Sequence, residues 1–336
     1  MNPLDKVLQG QVLQVDESRR LFGQLMAGEL TDIQIGGMLM AMKTRGEASS
    51  EIAGAAQALR QAATHFPTTE FETADNCGTG GDGSHSINIS TAAAVVAASA
   101  GLAMVKHGNR SVSSQCGSAD VLEALGVNLQ CTPQESYRSV CEAGICFLFA
   151  PNYHSGIRYA MPARRALGVR TIFNVLGPLV NPAQPTFQLM GVYDPQLGPA
   201  MAQVLRQLGC RSALVVHGSG MDELCLDGLN DVWITEDGGV KHEQWHATDF
   251  GLTEHPRSSI VGGTPEENTL ALKAIFCGTA PPAHREAVAF NAGALLWVAN
   301  RAPTVKAGIQ TALDILSTDR AWQTIRHWAE VSHGTR

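Results

Sequence analysis

The chain is short of charge, and of positive charge in particular. Only 16% of its 336 residues are Asp, Glu, Lys or Arg, and 24 Lys and Arg face 31 Asp and Glu, for a formal net charge of -7. A protein that holds nucleic acid through its overall field should be basic, so a nucleic-acid partner is not expected; any polyanion must be met by a local cluster of donors. The eight cysteines include no C-x-x-C pair. Sitting in apolar or mixed segments, they read as reduced cytosolic thiols, neither a disulfide framework nor a zinc site. The opening residues MNPLDKVLQGQVLQVDE lack the basic start and apolar stretch of a secretory signal. One uncharged run, Ser86 to Val105, has the length of a membrane span, but Asn88, Thr91, Gly101 and three serines (86, 90, 99) dilute a stretch built mainly of alanine. Such a run inserts only weakly, so a soluble cytoplasmic protein with no membrane partner is expected. No internal repeat or low-complexity tract is present.

What is there is ordinary globular material: 44% apolar residues, 34 glycines and enough length for one large or two ordinary domains. The first sixty-odd residues read as helical. Asp16 is placed to cap a helix that Gly28 stops, Thr31 to Gln34 is a capping box, and a third, Ala-rich helix follows Ser49 and ends before Pro67. From Phe71 short apolar runs alternate with capped helices: a helix opened by the box Thr132 to Glu135 and ended by Gly144, a strand at 145–149, a strand at 189–193, a helix to Gly209, a strand at 213–217. Strand, helix, strand predicts α/β architecture with a mostly parallel sheet flanked by helices. Residues 170–185, rich in Pro, Gly and Asn, predict a long loop or a crossing between lobes. Residues 232–245 predict a β-ribbon, Thr264 to Glu267 another capping box, and the rest helices.

The stretch CGTGGDGSHSINIST (77–91) is the most informative. Four glycines in six positions (78, 80, 81, 83) let backbone N–H groups approach an anion with no Cβ in the way. The loop satisfies G-x-G-x-x-G, but the rest of a dinucleotide fingerprint fails, since no Asp or Glu occurs between Asp82 and Asp120 to meet ribose hydroxyls. No Gly-Lys-Ser/Thr closes it as a P-loop. Asn88, Ser90 and Thr91 instead crowd the start of an Ala-rich helix, where a phosphate could be held; plain helix caps are the alternative. A second cluster, KHGNRSVSSQCGSAD (106–120), gathers Lys106, Asn109, Arg110, four serines (111, 113, 114, 118) and two glycines beside an apolar strand. Ser118 also reads as the N-cap of the helix that follows. Asp222 and Glu223 end the strand–turn segment VVHGSGMDEL, and two reachable carboxylates suit a hard cation such as Mg²⁺; a solvated acidic turn or a hydrolytic acid/base pair are the other readings. The histidines at 242, 246, 255, 284, 327 and 333 read as surface residues.

Together GTGGDG (78–83), NIST (88–91), KHGNRSVSS (106–114), GSADVLEALGV (117–127), PARRALGVRTIFNVLGPLVNPA (162–183) and Asp222-Glu223 resemble the anthranilate phosphoribosyltransferase family of tryptophan biosynthesis. The likeness extends to IGGMLMAMKTRGEASSEIAGAA (35–56) and FNAGALLWVANRAPTVKAGI (290–309), and so to nearly the whole chain. The resemblance implies a nucleoside-phosphorylase-type fold. A small helical lobe would comprise residues 1–67 with a mid-chain contribution from about 165–187, and a large α/β lobe residues 68–164 and 188–336. It implies a homodimer joined through the helical lobe and a site between the lobes. Phosphoribosyl pyrophosphate would be bound by Gly78, Gly81, Asp82, Ser86, Asn88, Ile89, Ser90, Thr91, Lys106, His107, Gly108, Asn109, Arg110, Ser111, Val112, Ser113, Ser114 and Ser118. Gly78, Asn109 and Arg164 would face anthranilate, and Ser90, Asp222 and Glu223 would hold two Mg²⁺ ions. Gln115 and Cys116 stand where the family often has Lys and Ser, which bears on pyrophosphate affinity alone.

The reaction so implied moves 5-phosphoribose from its pyrophosphate to the amine of anthranilate, the second step of tryptophan biosynthesis from chorismate. An aromatic amine is unprotonated at neutral pH, so no general base is assigned and His107 is read as a positioning residue. Two alternatives stay open. A pyrimidine nucleoside phosphorylase on the same fold would use inorganic phosphate and have no need of the Asp-Glu pair. A non-catalytic nucleic-acid-binding paralogue should have lost the glycine loop and gained basic surface.

Overall fold

In the computed structural model, residues 1–110, 115–236 and 238–334 are described. The chain begins with helices where its capping residues put them. Asn2 caps α1 (Pro3–Leu8) by accepting the Leu4 N–H at 3.2 Å. The second helix, α2 (Val15–Met26), starts earlier than an Asp16 cap would allow: Gln14 is the N-cap, and the Glu17 carboxylate accepts its N–H at 3.1 Å. Asp16 lies instead in the first turn, where a negative charge meets the positive end of the helix. The Thr31–Gln34 box opens α3 (Asp32–Arg45), and α4 (Ser49–Gln61) packs along α2.

The remaining elements follow as β1 (Ala74–Asn76), α5 (Ile89–Ser99), β2 (Met104–Gly108), α6 (Ser118–Ala124), α7 (Pro133–Ala143), β3 (Ile145–Phe149) and α8 (Ala150–Tyr153). Then come α9 (Met161–Leu167), α10 (Phe173–Leu176), β4 (Phe187–Gly191), α11 (Gly198–Gln207), β5 (Ser212–Gly218) and the hairpin β6 (Asn230–Glu236) and β7 (Gly239–Trp245). Four helices close the chain: α12 (Pro265–Phe276), α13 (Pro282–Val298), α14 (Val305–Leu316) and α15 (Arg320–Ser332). The strands form one sheet in the order β3-β2-β1-β4-β5-β6-β7. The first five run parallel, with Ala74 beside Met104 and Phe187, and Phe187 beside Ser212; β6 and β7 are antiparallel.

Alternation along the strands divides the interior in two, because successive side chains point to opposite faces. Leu189, Leu214 and Val216 join α5 and the C-terminal helices in one apolar cluster, while Met190, Ala213 and Val215 join α2, α3, α4 and α11 in another. The second cluster also takes in Ile172, Phe173, Val175, Leu176 and Leu179 of the Pro- and Gly-rich mid-chain stretch. The Arg60 Nε on α4 donates to the Leu179 carbonyl at 2.7 Å, tying the two segments together. The uncharged run from Ser86 to Val105 becomes buried α5 and the start of β2. Among the described residues no helix is long and apolar enough to cross a membrane.

Candidate active site

The strand order reverses between β1 and β4, since β2 and β3 lie on one side of that pair and β5 on the other. Ligands of parallel α/β sheets bind beyond the carboxyl ends of the strands at such a switch point. The glycine loop follows β1, Asn109 and Arg110 follow β2, and the acidic pair follows β5, so one fold rule brings all three to the same crevice. A cleft of about 780 Å³ lies there, and every expected site residue within the described part of the chain lines it. Ser111, Val112, Ser113 and Ser114 lie outside the described residues.

The acidic pair is built into the loop. The Gly80 N–H donates to Asp222 Oδ2 at 2.6 Å, and the Asp222 N–H donates to Asp82 Oδ2 at 3.2 Å. Glu223 Oε1 accepts the Ser90 N–H, in the first turn of α5, at 3.2 Å. A Cβ at position 78 would overlap the Asp222 carboxylate, so glycine is required there by close approach. Burial first, and then the neighbouring Asp82, pushes the Asp222 carboxyl above its ordinary range; burial and then Asp222 do the same to Glu223. Crowded hard oxygens whose ionised forms repel one another suit a divalent cation. Mg²⁺ needs only one or two protein carboxylates and completes its octahedron with phosphate and water. A closed all-protein cage is therefore not required, and among the described residues no group of three or more His, Cys, Asp or Glu is arranged as one.

Beneath the loop lies a polar network in an otherwise apolar sheet. The buried Lys106 ammonium donates to the Asn76 carbonyl at 2.6 Å and to Asn76 Oδ1 at 3.3 Å, while Asn76 Nδ2 donates to the Ser90 carbonyl at 2.7 Å. Asp75, fully buried, accepts the His107 N–H at 3.2 Å and Asn181 Nδ2 at 2.8 Å. Burial raises the Asp75 carboxyl to about 6, against the lowering influence of Lys106 and of these donors. Asp75 and Asn76 are absent from the sequence-based site; polar residues in a central strand just ahead of a glycine loop are the signal that marks them.

His107 Nδ1 lies 3.2 Å from the Gly177 carbonyl. A carbonyl can only accept, so Nδ1 carries the proton and Nε2 is left with its lone pair and, among the described residues, no partner. Burial, and then the neighbouring His154 ring at 5.2 Å, drives His107 down to about 3, and burial takes His154 to about 4. Both rings are neutral at neutral pH. His154 lines the cleft and was not among the expected site residues.

Arg164, in the last turn of α9, stacks on Phe173 at 4.9 Å and sends Nη1 to Met161 Sδ at 3.8 Å. It has no carboxylate partner among the described residues, although burial already presses its pKa down. A half-buried guanidinium against an aromatic wall is therefore free to receive an anion. Asn109 accepts at its carbonyl from Ser118 Oγ (3.3 Å), and at its side chain from the Arg110 N–H (2.8 Å). The Arg110 guanidinium is taken up by Asp120 at 2.9 Å and Glu123 at 2.8 Å. Ser118 is not the N-cap of α6: Gly117 holds that position, its N–H accepted by Asp120 Oδ2 at 2.9 Å, because the carboxylate three residues on reaches back. Asn88 occupies the N-cap of α5 without capping it. Its amide donates to the Cys116 carbonyl at 3.2 Å and accepts from Asn268 Nδ2 at 2.8 Å, joining the start of α5, the loop before α6 and the first turn of α12 around the cleft. Ser86 forms a bridge with Val261, Ile89 packs in the core, and Thr91 Oγ1 is buried without a partner among the described residues. Arg170, also unforeseen, donates to the Gly81 carbonyl and lies 4.2 Å over the Tyr193 ring, so the mid-chain stretch reaches the glycine loop.

A second metal motif does not form a site. His242-Glu-Gln-Trp-His246 has the H-E-x-x-H spacing that on a helix brings two imidazoles to one face. Here it runs along β7 and just past its end, where residues four apart are separated by about 13 Å. His242 Nε2 pairs with Asp231 at 2.9 Å, and Glu243 accepts from Trp245 Nε1 at 2.7 Å.

Known proteins share this sequence and fold. Residues 3–63 match the glycosyl transferase family helical bundle domain, and residues 70–322 its a/b domain. The anthranilate phosphoribosyltransferase of Sorangium cellulosum is 48% identical over 329 residues, which cover 98% of this chain and 94% of that one. The crystal structure of anthranilate phosphoribosyltransferase from Thermus thermophilus superposes with a TM-score of 0.95 at 39% identity, covering 99% of this chain and 100% of that one. The Saccharomyces cerevisiae enzyme in complex with phosphoribosyl pyrophosphate and Mg gives a TM-score of 0.91 at 25% identity, covering 99% and 97%. With a glycine loop, an acidic pair and an arginine that has no carboxylate partner among the described residues all lining one cleft, and with relatives of that identity along nearly its full length, the chain belongs to the anthranilate phosphoribosyltransferase family.

Proposed function

We propose that the chain transfers the 5-phosphoribosyl group from phosphoribosyl pyrophosphate to the amine of anthranilate, releasing pyrophosphate. The observation that carries this reading is a division of labour within one cleft. Loop amides, the α5 N-terminus and paired carboxylates line it as one interconnected group, and Arg164 beside Phe173, with no carboxylate partner among the described residues, lines it separately. The first group suits a pyrophosphate with its cation, and the second a flat aromatic carboxylate.

Mg²⁺, when held by Asp222, Glu223 and Ser90, supplies neutralisation of the charge that gathers on the departing pyrophosphate. We assign two such ions to the site. The glycine-loop amides at 78–83 and the serine-rich segment at 108–114 with Ser118 orient the phosphates and ribose. Arg164 anchors the anthranilate carboxylate through its planar fork, which sets the amine toward the sugar carbon. His107, neutral, buried and held by the Gly177 carbonyl, is too weak a base to remove a proton early in the reaction and serves as a positioning residue. The oxocarbenium-like sugar needs only a positioned neutral nucleophile.

We also propose the two-lobe division, with residues 1–67 and about 165–187 in the helical lobe, residence in the cytoplasm, and a homodimer joined through the helical lobe. Exposed Leu8, Val12 and Ile33 on that lobe support the last point. The test of the activity is loss of anthranilate fluorescence with the sugar donor and Mg²⁺ omitted in turn: each omission should abolish it. Metal-independent cleavage of a pyrimidine nucleoside by inorganic phosphate would overturn the reading.

A further inference from the structure

Asp222 and Glu223 sit in an irregular segment between β5 and β6, where no sheet ladder orders the backbone. Two neutral side chains supply that order from opposite ends. On the approach, the buried His217 ring links the end of β4 to the turn: Nδ1 donates to the Val192 carbonyl at 2.8 Å, and Nε2 accepts the Gly220 N–H at 3.0 Å. A carbonyl can only accept and an amide N–H only donate, so these partners select the neutral Nδ1–H tautomer. Gly218 and Met221 exchange N–H···O bonds at 3.0 and 2.9 Å inside the same turn. On the exit, buried Asn291 of α13 treats Leu224 as a neighbouring strand would. Its Oδ1 accepts the Leu224 N–H at 3.0 Å and its Nδ2 donates to the Leu224 carbonyl at 2.9 Å. Asn291 lies far along the chain in the FNAGALLWV stretch, and no substrate role accounts for it.

We propose that His217 and Asn291 are positioning residues for the acidic pair. They fix the backbone on either side of residues 222 and 223, so that one carboxylate reaches the glycine loop and the other the start of α5. The proposal rests on the reading of that pair as the cation-holding group. Side chains that orient metal ligands typically change affinity by about 10–100-fold when removed.

The test uses the full chain and Mn²⁺ as a spectroscopic probe in place of Mg²⁺. Asn291→Asp keeps the acceptor and removes the donor, Asn291→Ala removes both, and His217→Asn preserves reach to Val192 while abandoning Gly220. In each folded variant, Mn²⁺ affinity measured by electron paramagnetic resonance with pyrophosphate present should fall about tenfold or more. The KM for the sugar donor should rise in parallel while that for anthranilate stays within about twofold. Nitrogen-15 NMR of the parent should show His217 protonated at Nδ1 and bare at Nε2. Parental Mn²⁺ affinity in folded variants, equal changes in both KM values, or the opposite tautomer would overturn the proposal. Should Asn291→Ala not fold, Asn291→Asp and His217→Asn decide the matter. A parent that neither binds Mn²⁺ nor transfers ribose would sink the functional reading and the proposal's cation link. The tautomer measurement would still report whether the clamp exists.

Discussion

Replacing Arg164 separates the proposed anthranilate contact from the proposed phosphate contacts. Its guanidinium is half-buried, stacked on Phe173 at 4.9 Å and without a carboxylate partner among the described residues. Hydrogen bonds to charged groups contribute about 1.5–3 kcal/mol each, so losing a two-pronged grip on a carboxylate should cost about 3 kcal/mol or more, roughly 100-fold in kcat/KM. Arg164→Met keeps the apolar stem against Phe173 and removes the fork. Arg164→Lys keeps the charge, and should recover part of the loss because an ammonium cannot match the planar geometry. Stability should change little, since a cation–π contact at a partly exposed site contributes about 0.5–2 kcal/mol. Initial rates from anthranilate fluorescence, with each substrate varied at saturating levels of the other, give both KM values. Methionine should raise the anthranilate KM far more than the donor KM, with lysine in between. Equal rises for both substrates, or lysine as poor as methionine, would refute the carboxylate-anchor argument.

Neutralising the acidic pair should dissociate activity from stability. In Asp222→Asn/Glu223→Gln the crowded like charges are gone, so chemical denaturation without metal should find the variant at least as stable as the parent. Its kcat should fall by about 10²–10³, the usual scale for removing charge stabilisation of a leaving group. Parental activity with unchanged Mg²⁺ dependence would make the pair a surface turn. Asp75 carries a pH signature of its own. Its folded pKa is raised from 3.8 to about 6, so the folded state binds this proton more tightly than the unfolded chain. That contribution is complete below about pH 4 and is lost as pH rises through 6, by up to about 3 kcal/mol. The stability of the parent relative to Asp75→Asn should therefore decline between pH 4 and pH 7, read from urea midpoints; a difference that is flat or rises across that window would contradict it.

Much of this geometry is legible from local rules, and the exceptions share one cause. Capping boxes at Thr31, Thr132 and Thr264 place three helix starts, because each is decided by groups three residues apart. The glycine loop and the acidic pair stand out because few structural needs account for them. Strand β1 is hidden because it has three residues, Ala-Asp-Asn, and two of them are polar. Its place in the middle of the five parallel strands is set by neighbours about 30 and 110 residues away, a register local periodicity does not carry. The same distance hides Asn181 beneath Asp75 and Asn291 behind Leu224. Arg110 shows a contact of another kind that local reading misses: it lines the cleft as expected, but Asp120 and Glu123 on α6 hold its guanidinium. Even the Gly117 cap follows from the Asp120 carboxylate, which competes with Ser118 for the same role.

The shortage of positive charge acquires a sharper meaning at the site itself. Asp75, Asp82, Asp222 and Glu223 lie in or beneath the glycine-loop part of the cleft, whereas Lys106 is the cation buried among them and its ammonium is spent on Asn76. Its field lowers the pKa of both Asp75 and Glu223, so it serves the carboxylates at least as much as any ligand. Arg110 is neutralised by α6, and Arg170 is committed to the Gly81 carbonyl. A pyrophosphate brought here therefore meets backbone dipoles but also a cluster of carboxyls whose charged forms repel one another and would repel it. Dipoles alone cannot offset that repulsion, since a helix N-terminus is equivalent to only about half a positive charge. For the proposed reaction the balance has to be supplied by cations that arrive with the substrate, so the fold's own charge arrangement predicts metal dependence.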